Sequence, residues 1–257
     1  MEHLTIKPGL RYNYFASKLS SQTKSKQFNS IDARLYAQYR ISDVFYLRGN
    51  YSHNNQYINK LTPSSVGLPS DFWITASSEV RPQSGDEFSA GAYHIFKDGM
   101  FEISGDIFYR QMHDVTQFDY NFIENENTSF VDKILYGDGR AYGLELMLKK
   151  NYGRLTGWIS YAAGKSERKF DEINGRSYFP AKFDRRHDLS ATFNYKINPR
   201  WDLSVTQIYA TGNTYTQPTS WYFINGLPVK EYTKYNNARL PDYNRTDIGV
   251  NYWFKKD

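Results

Sequence analysis

Cysteine is absent from the 257 residues, so neither a disulfide framework nor a thiolate metal site can be built. Long apolar runs are missing too. No stretch approaches the ~18 consecutive apolar residues of a spanning helix, which excludes helical membrane insertion. The N-terminus, Met1-Glu2-His3-Leu4-Thr5-Ile6-Lys7, lacks the basic start and apolar core of a secretory signal. Charge of one sign is scarce: the formal net charge of +5 is spread along the chain and offers no stripe for nucleic acid. His3, His53, His94, His113 and His187 fall into neither a His-x-x-x-His nor a His-Glu-x-x-His spacing, so no metal or catalytic centre is read from them.

Aromatic rings are abundant instead. They make up 18% of the chain, with Tyr 23 and Phe 17. Tyr and Trp favour the boundary between headgroups and hydrocarbon, because an apolar ring carries a polar tip. By composition alone, a sugar-binding module would do equally well.

The pattern along the chain is more decisive. From Asp188 to Ile197, Leu189, Ala191, Phe193, Tyr195 and Ile197 alternate with Asp188, Ser190, Thr192, Asn194 and Lys196. Period two without exception reads as a half-buried strand. Phe101 to Arg110, Tyr142 to Lys149 and Ile31 to Ile41 repeat it, with Phe108 alone on a polar face. Leu4 to Tyr14, Phe45 to Ser52, Phe88 to Phe96, Leu155 to Tyr161, Trp201 to Tyr209 and Asp247 to Phe254 complete a set of ten. Phe88 to Phe96 does not reveal its apolar face, and Gln207 falls on an apolar side. A barrel strand shows lipid only every second side chain, so a low mean hydropathy is compatible with spanning.

The connections alternate as well. Ser42-Asp43, Lys97-Asp98-Gly99, Asn151-Tyr152-Gly153 and Asn198-Pro199 are compact turns. Between them run Ala16 to Ser30, His53 to Glu87, Met112 to Gly139, Ala163 to Arg186 and Ala210 to Asn244. Every short turn then lies at one end of the sheet and every long loop at the other. The fold expected is an all-β, antiparallel, up-and-down transmembrane barrel of about ten strands, whose edges must close in hydrocarbon. On this reading Glu102, Asp106, Arg110, Glu145 and Thr192 face inward, while Ile103, Leu146, Leu189 and Phe193 face lipid.

Few residues suggest chemistry. Asp184-Arg185-Arg186-His187-Asp188 reads as a charged cluster at a strand entrance, with its arginines paired to acidic neighbours. Gly137-Asp138-Gly139 reads as a loop before a strand. Asp114, Asp119, Glu124, Glu126 and Asp132 share a loop at irregular spacing, which fits a solvated segment better than a calcium site. The ligand-binding candidates are the loop aromatics Trp73, Tyr120, Trp221 and Tyr222, beside Phe122 and Phe223, because exposed rings stack on sugars and flat ligands.

Pro82-Gln83-Ser84-Gly85-Asp86-Glu87-Phe88, Tyr136-Gly137-Asp138-Gly139-Arg140-Ala141-Tyr142-Gly143, Leu155 to Tyr161, Phe179-Pro180-Ala181-Lys182-Phe183-Asp184-Arg185-Arg186-His187-Asp188-Leu189 and Arg239-Leu240-Pro241-Asp242-Tyr243-Asn244-Arg245 resemble the C-terminal barrel portion of TonB-dependent outer-membrane receptors, particularly those typical of the Bacteroidetes. The resemblance covers nearly the whole chain. It implies residues 1–257 as part of a 22-stranded barrel, with no plug and no signal peptide in this stretch. The function implied is non-enzymatic uptake of a scarce nutrient of the siderophore, cobalamin or oligosaccharide class, located in the outer membrane. The partners implied are lipid, the receptor's own plug and remaining strands, TonB through that plug, and a small nutrient; no cofactor is implied. The rival readings are a complete small outer-membrane barrel enzyme, protease or lipase, and a soluble carbohydrate-binding β module.

Overall fold

The computed structural model describes residues 3–18, 25–61, 72–119 and 130–254. In chain order the strands are β1 (Leu4–Ser17), β2 (Lys26–Ser42), β3 (Phe45–Gln56), β4 (Ile58–Leu61), β5 (Phe72–Thr75), β6 (Gln83–Phe96), β7 (Phe101–Phe118), β8 (Ile134–Lys150) and β9 (Leu155–Phe170). They continue with β10 (Phe179–Pro180), β11 (His187–Asn198), β12 (Trp201–Ala210), β13 (Thr214–Tyr215), β14 (Ser220–Ile224), β15 (Leu227–Glu231), β16 (Ala238–Arg239) and β17 (Tyr243–Tyr252). Ten of them form one antiparallel wall in the order β1-β2-β3-β6-β7-β8-β9-β11-β12-β17, with β10 added against β9. Each wall strand follows its neighbour directly. That is the up-and-down meander expected from the alternation of turns and loops.

Registers carry one face across the whole wall. Leu35 pairs Tyr51, Tyr51 pairs Phe88, Phe88 pairs Tyr109, and Tyr109 pairs Tyr142. Ile159 continues the apolar face opposite Leu148, and Val205 continues it between Phe193 and Ile248. Leu10 is 80% exposed, Ile107 60% and Ile248 71%. So much unburied aliphatic surface on one face has no solution in water and is the natural lining against lipid. Phe88, ambiguous in sequence, lies on this face, 53% exposed. Gln207 lies there too, satisfied by Asn244 at 2.6 Å and by the Thr246 hydroxyl.

The other face is concave and polar. Tyr36, Gln38, Tyr46, Arg48 and Tyr93 line one hollow of it. Arg48 holds Asp106 through Nε at 2.8 Å and through its terminal nitrogen, although β6 runs between them. Gly91 makes this reach available, because a Cβ there would lie 2.0 Å from Asp106 Oδ1. Phe108, the odd apolar residue of its face, spreads over Gly143, where a Cβ would come within 3.0 Å of its ring. Arg110 pairs with Glu87, and Thr192 with Thr206 at 3.1 Å. Inward and lipid-facing residues thus sort as the alternation indicates.

Two expectations require correction. The wall strands reach 18 residues in β7 and 17 in β8, well beyond the expected segments, because the hairpins continue above the lipid where both faces are wetted and backbone pairing alone maintains them. Gly137 and Gly139 are not in a loop: they pair with β7 on one side and β9 on the other. A bulge between Met112 and Val115, with Asp114 at φ 52, interrupts the register of this extension.

The expected turns do lie at one end, between β2 and β3, β6 and β7, β8 and β9, and β11 and β12. Deep burial gathers at the opposite end. Val115, Phe170, Ile173, Phe179 and Tyr235 form one cluster, and Leu61, Val80 and Ile134 a second. The wall itself therefore has little core of its own, and packing is concentrated where the loops fold over it.

Candidate ligand cleft at the loop end

The strongest local order in the loops comes from Asp184, whose side chain is fully buried. The Ser166 amide donates to its Oδ1 at 2.6 Å, Arg186 Nε to its Oδ2 at 3.0 Å, and Arg239 to the same oxygen. Arg239 also donates to the carbonyls of Asp184 at 2.7 Å and Gly212 at 3.1 Å. One carboxylate thus ties β9, the segment before β11, and β16 together. Arg185 pairs separately with Asp188 at 3.5 Å. The Thr214 hydroxyl bonds the Ala181 carbonyl at 2.7 Å and Asn236 the Pro180 carbonyl at 2.8 Å, which fixes residues 180–184 against the last long loop.

These ties frame a cleft of about 390 Å³ between the extended ends of β7 and β9 and the residues around Lys182 and Tyr235. Its size suits a small molecule. Leu61, Met112, Val115, Phe118, Phe183 and Tyr235 supply apolar wall, and Gln56, Gln83, Thr116 and Asn236 supply donors and acceptors. Among the described residues its ionic groups are Lys60, Arg168 and Lys182, and no described Asp or Glu lines it.

Carboxylates nearby are engaged elsewhere. Glu167, one residue from Arg168 and on the opposite face of β9, is bound by Lys165 at 2.5 Å and Arg140 at 2.7 Å. Burial opposes its ionisation, but Lys165 and Arg140 outweigh burial and hold its carboxyl below the ordinary value of 4.5. A carboxyl depressed in the folded state stabilises above its unfolded value and loses that contribution as pH falls through the folded value. Acidification from pH 7 to below 4.5 is therefore expected to loosen the β8–β9 extension while leaving the wall intact. Faster protease cleavage within residues 171–186 at acid pH, abolished in Glu167→Gln, is the measurement that checks it.

Trp73 lies on β5, 68% exposed, and Trp221 and Tyr222 on β14, 58% and 47% exposed. None of the three lines the cleft, and Tyr120, like Phe122, Glu124 and Glu126, lies outside the described residues. Among the described residues no three carboxylates or imidazoles gather in a metal-binding group. His53 pairs Asp86 at 3.0 Å, His113 pairs Asp138 at 2.9 Å, and His187 pairs Tyr161 at 2.8 Å. Sequence reasoning passed over Arg168 because residues 163–186 read as loop. No period-two signal marks it, because Lys165, Glu167 and Lys169 on one face and Ser166 and Arg168 on the other are all polar.

Comparison with known proteins agrees with this geometry. The family model for the TonB dependent receptor-like β-barrel matches residues 1–257. No curated protein matches the chain. Among solved structures, the FrpB iron transporter from Neisseria meningitidis superposes with a TM-score of 0.67 at 14% identity, over 98% of this chain and 36% of its own. The ferric-catecholate import receptor Fiu from K12 E. coli gives 0.64 at 13% identity, over 100% and 37%. The siderophore receptor PiuA from Acinetobacter baumannii gives 0.65 at 15%, over 99% and 35%. At these identities the likeness is one of fold, and the chain spans about a third of the length of the receptors it matches. Matched along its full length, this outer-membrane wall of ten antiparallel strands belongs to the β-barrel family of TonB-dependent receptors.

Proposed function

We propose that the chain supplies the last ten wall strands of a TonB-dependent receptor that imports a scarce nutrient, of the siderophore, cobalamin or oligosaccharide class. The observation that carries this reading is the cleft at the loop end, opening beside a polar concave wall. A nutrient held there would stand above the lumen through which it must pass. Arg48, Arg110 and Glu145 would face the receptor's plug, and TonB would act through that plug. The remaining strands of the same receptor would pair with β1 and β17, whose outer edges are free within this sheet. Trp73, Tyr120, Trp221 and Tyr222 would be the rings that meet the ligand first. Kinship with Bacteroidetes-type receptors rests on the sequence motifs alone.

The test is uptake. A Gram-negative host expressing the complete receptor that carries this chain should accumulate a labelled nutrient of one of these classes only when its own TonB is present. Accumulation at equal rate without TonB would overturn the import reading.

A further inference from the structure

We infer that the cleft takes an anionic small molecule, one bearing carboxylate or phosphate oxygens, and that Arg168 is its specificity-determining residue. This deepens the import reading and rests on it. Arg168 lies opposite Gly139 near the end of β9, and the Met112 side chain, not one on Gly139, occupies the space beside it. Its Nη1 donates to the Thr116 carbonyl at 3.1 Å. Among the described residues no carboxylate pairs with it, and a guanidinium offers five donors in a planar fork.

Most other arginines among the described residues differ. Arg11, Arg48, Arg110, Arg140, Arg186 and Arg239 each hold a carboxylate. Two acidic residues of the surrounding segments are committed: Glu167 to Lys165 on its own strand and Arg140 on β8, Asp184 to Arg186, Arg239 and the Ser166 amide. Period two turns Glu167 away, and burial removes Asp184. Arg168 is left with a partial counter-charge from one carbonyl, and burial pushes its pKa down. An oxyanion would supply what the protein withholds, in the two-point geometry that guanidinium favours. Lys60 and Lys182 line the same cleft and reinforce its sign. Phe183, 68% exposed, and Tyr235 offer apolar surface for the rest of the molecule.

A neutral oligosaccharide finds a different environment here. Sugar hydroxyls are recognised by acceptors as much as donors, and among the described residues this cleft has no carboxylate to accept from them. The cation content therefore chooses among the nutrient classes.

The experiment is calorimetric titration of the complete receptor in detergent with ferric citrate, inorganic phosphate and maltohexaose as carboxylate, phosphate and neutral probes. Saturable binding is expected for at least one anion and not for the sugar. Arg168→Gln should weaken the anion at least about tenfold, and Arg168→Lys, which keeps the charge but not the fork, about threefold. Heat-dependent gel migration checks that both variants are folded. Binding of maltohexaose alone, failure of both anions to bind, or unchanged anion affinity in Arg168→Gln would each overturn the inference. TonB-dependent import of maltohexaose would overturn it and leave the import reading standing. Anion binding without TonB-dependent import of any probe would instead sink the import reading.

Discussion

Lysine in place of Leu146 is expected to destabilise the assembled barrel by about 2 to 4 kcal/mol, against little for lysine in place of Thr192. Leu146 lies midway between the girdle ring Tyr142 and the turn after Lys150, 42% exposed on the apolar face. It is flanked by Gly105 on β7 and Tyr161 on β9. An ammonium there has no water and, in the residues paired with it, no carboxylate, and snorkelling must carry it several residues to either boundary. Thr192 faces the lumen, hydrogen-bonded to Thr206 at 3.1 Å, where a lysine head reaches water or the polar groups of the concave side. Urea unfolding of the receptor in lipid vesicles, followed by gel migration, measures both. Equal tolerance at the two positions would invert the assignment of faces.

Replacement of Asp184 by Ala is expected to cost about 3 kcal/mol in the loop structure, at the lower end of the cost of breaking a buried ion pair. The lower end applies because Arg186 and Arg239 are each 31% exposed and can turn partly to water, while Asp184 is fully buried. The Ser166 amide loses its acceptor in the same change. The loss falls on the frame of the cleft and not on the wall. Proteolysis within residues 180–186 should accelerate while heat-dependent migration of the barrel stays as in the parent. Asp184→Asn keeps one acceptor and should lose about half as much, separating charge from shape.

The two variants mark the boundary of what the sequence made legible. Leu146 and Thr192 could be assigned from alternation alone, because lipid on one face and water on the other impose a period of two on every strand between. Above the girdle that contrast ends. Residues such as Ser166 and Arg168 still alternate, but both faces are wetted, and turn-forming residues such as Gly137 and Gly139 occur inside a strand. The loop end appeared shorter in strands than it is. The cleft was less legible still, since Lys60, Thr116, Arg168 and Lys182 come from four separate segments. Residues 180–184 are fixed there by the Asp184 ties, which have no local periodic signature. The loop aromatics drew attention because they are conspicuous in composition, yet Trp73 and Trp221 are not among the cleft's lining residues.

The edge of β1 carries a consequence for whatever strand adjoins it. The Arg40 amide donates to the His3 carbonyl at 2.7 Å, and with Leu4 paired to Tyr39 the odd residues of β1 bond to β2. The even ones, Leu4, Ile6, Pro8, Leu10 and Tyr12, direct their backbone groups outward. Pro8 has no amide hydrogen to offer. At that height the adjoining strand meets an acceptor but no donor, within a stretch that shows Ile6 and Leu10 to lipid at 55% and 80% exposure. The seam at β1 is therefore one hydrogen bond short where hydrocarbon tolerates the omission least, which weakens strand pairing at the height of Pro8.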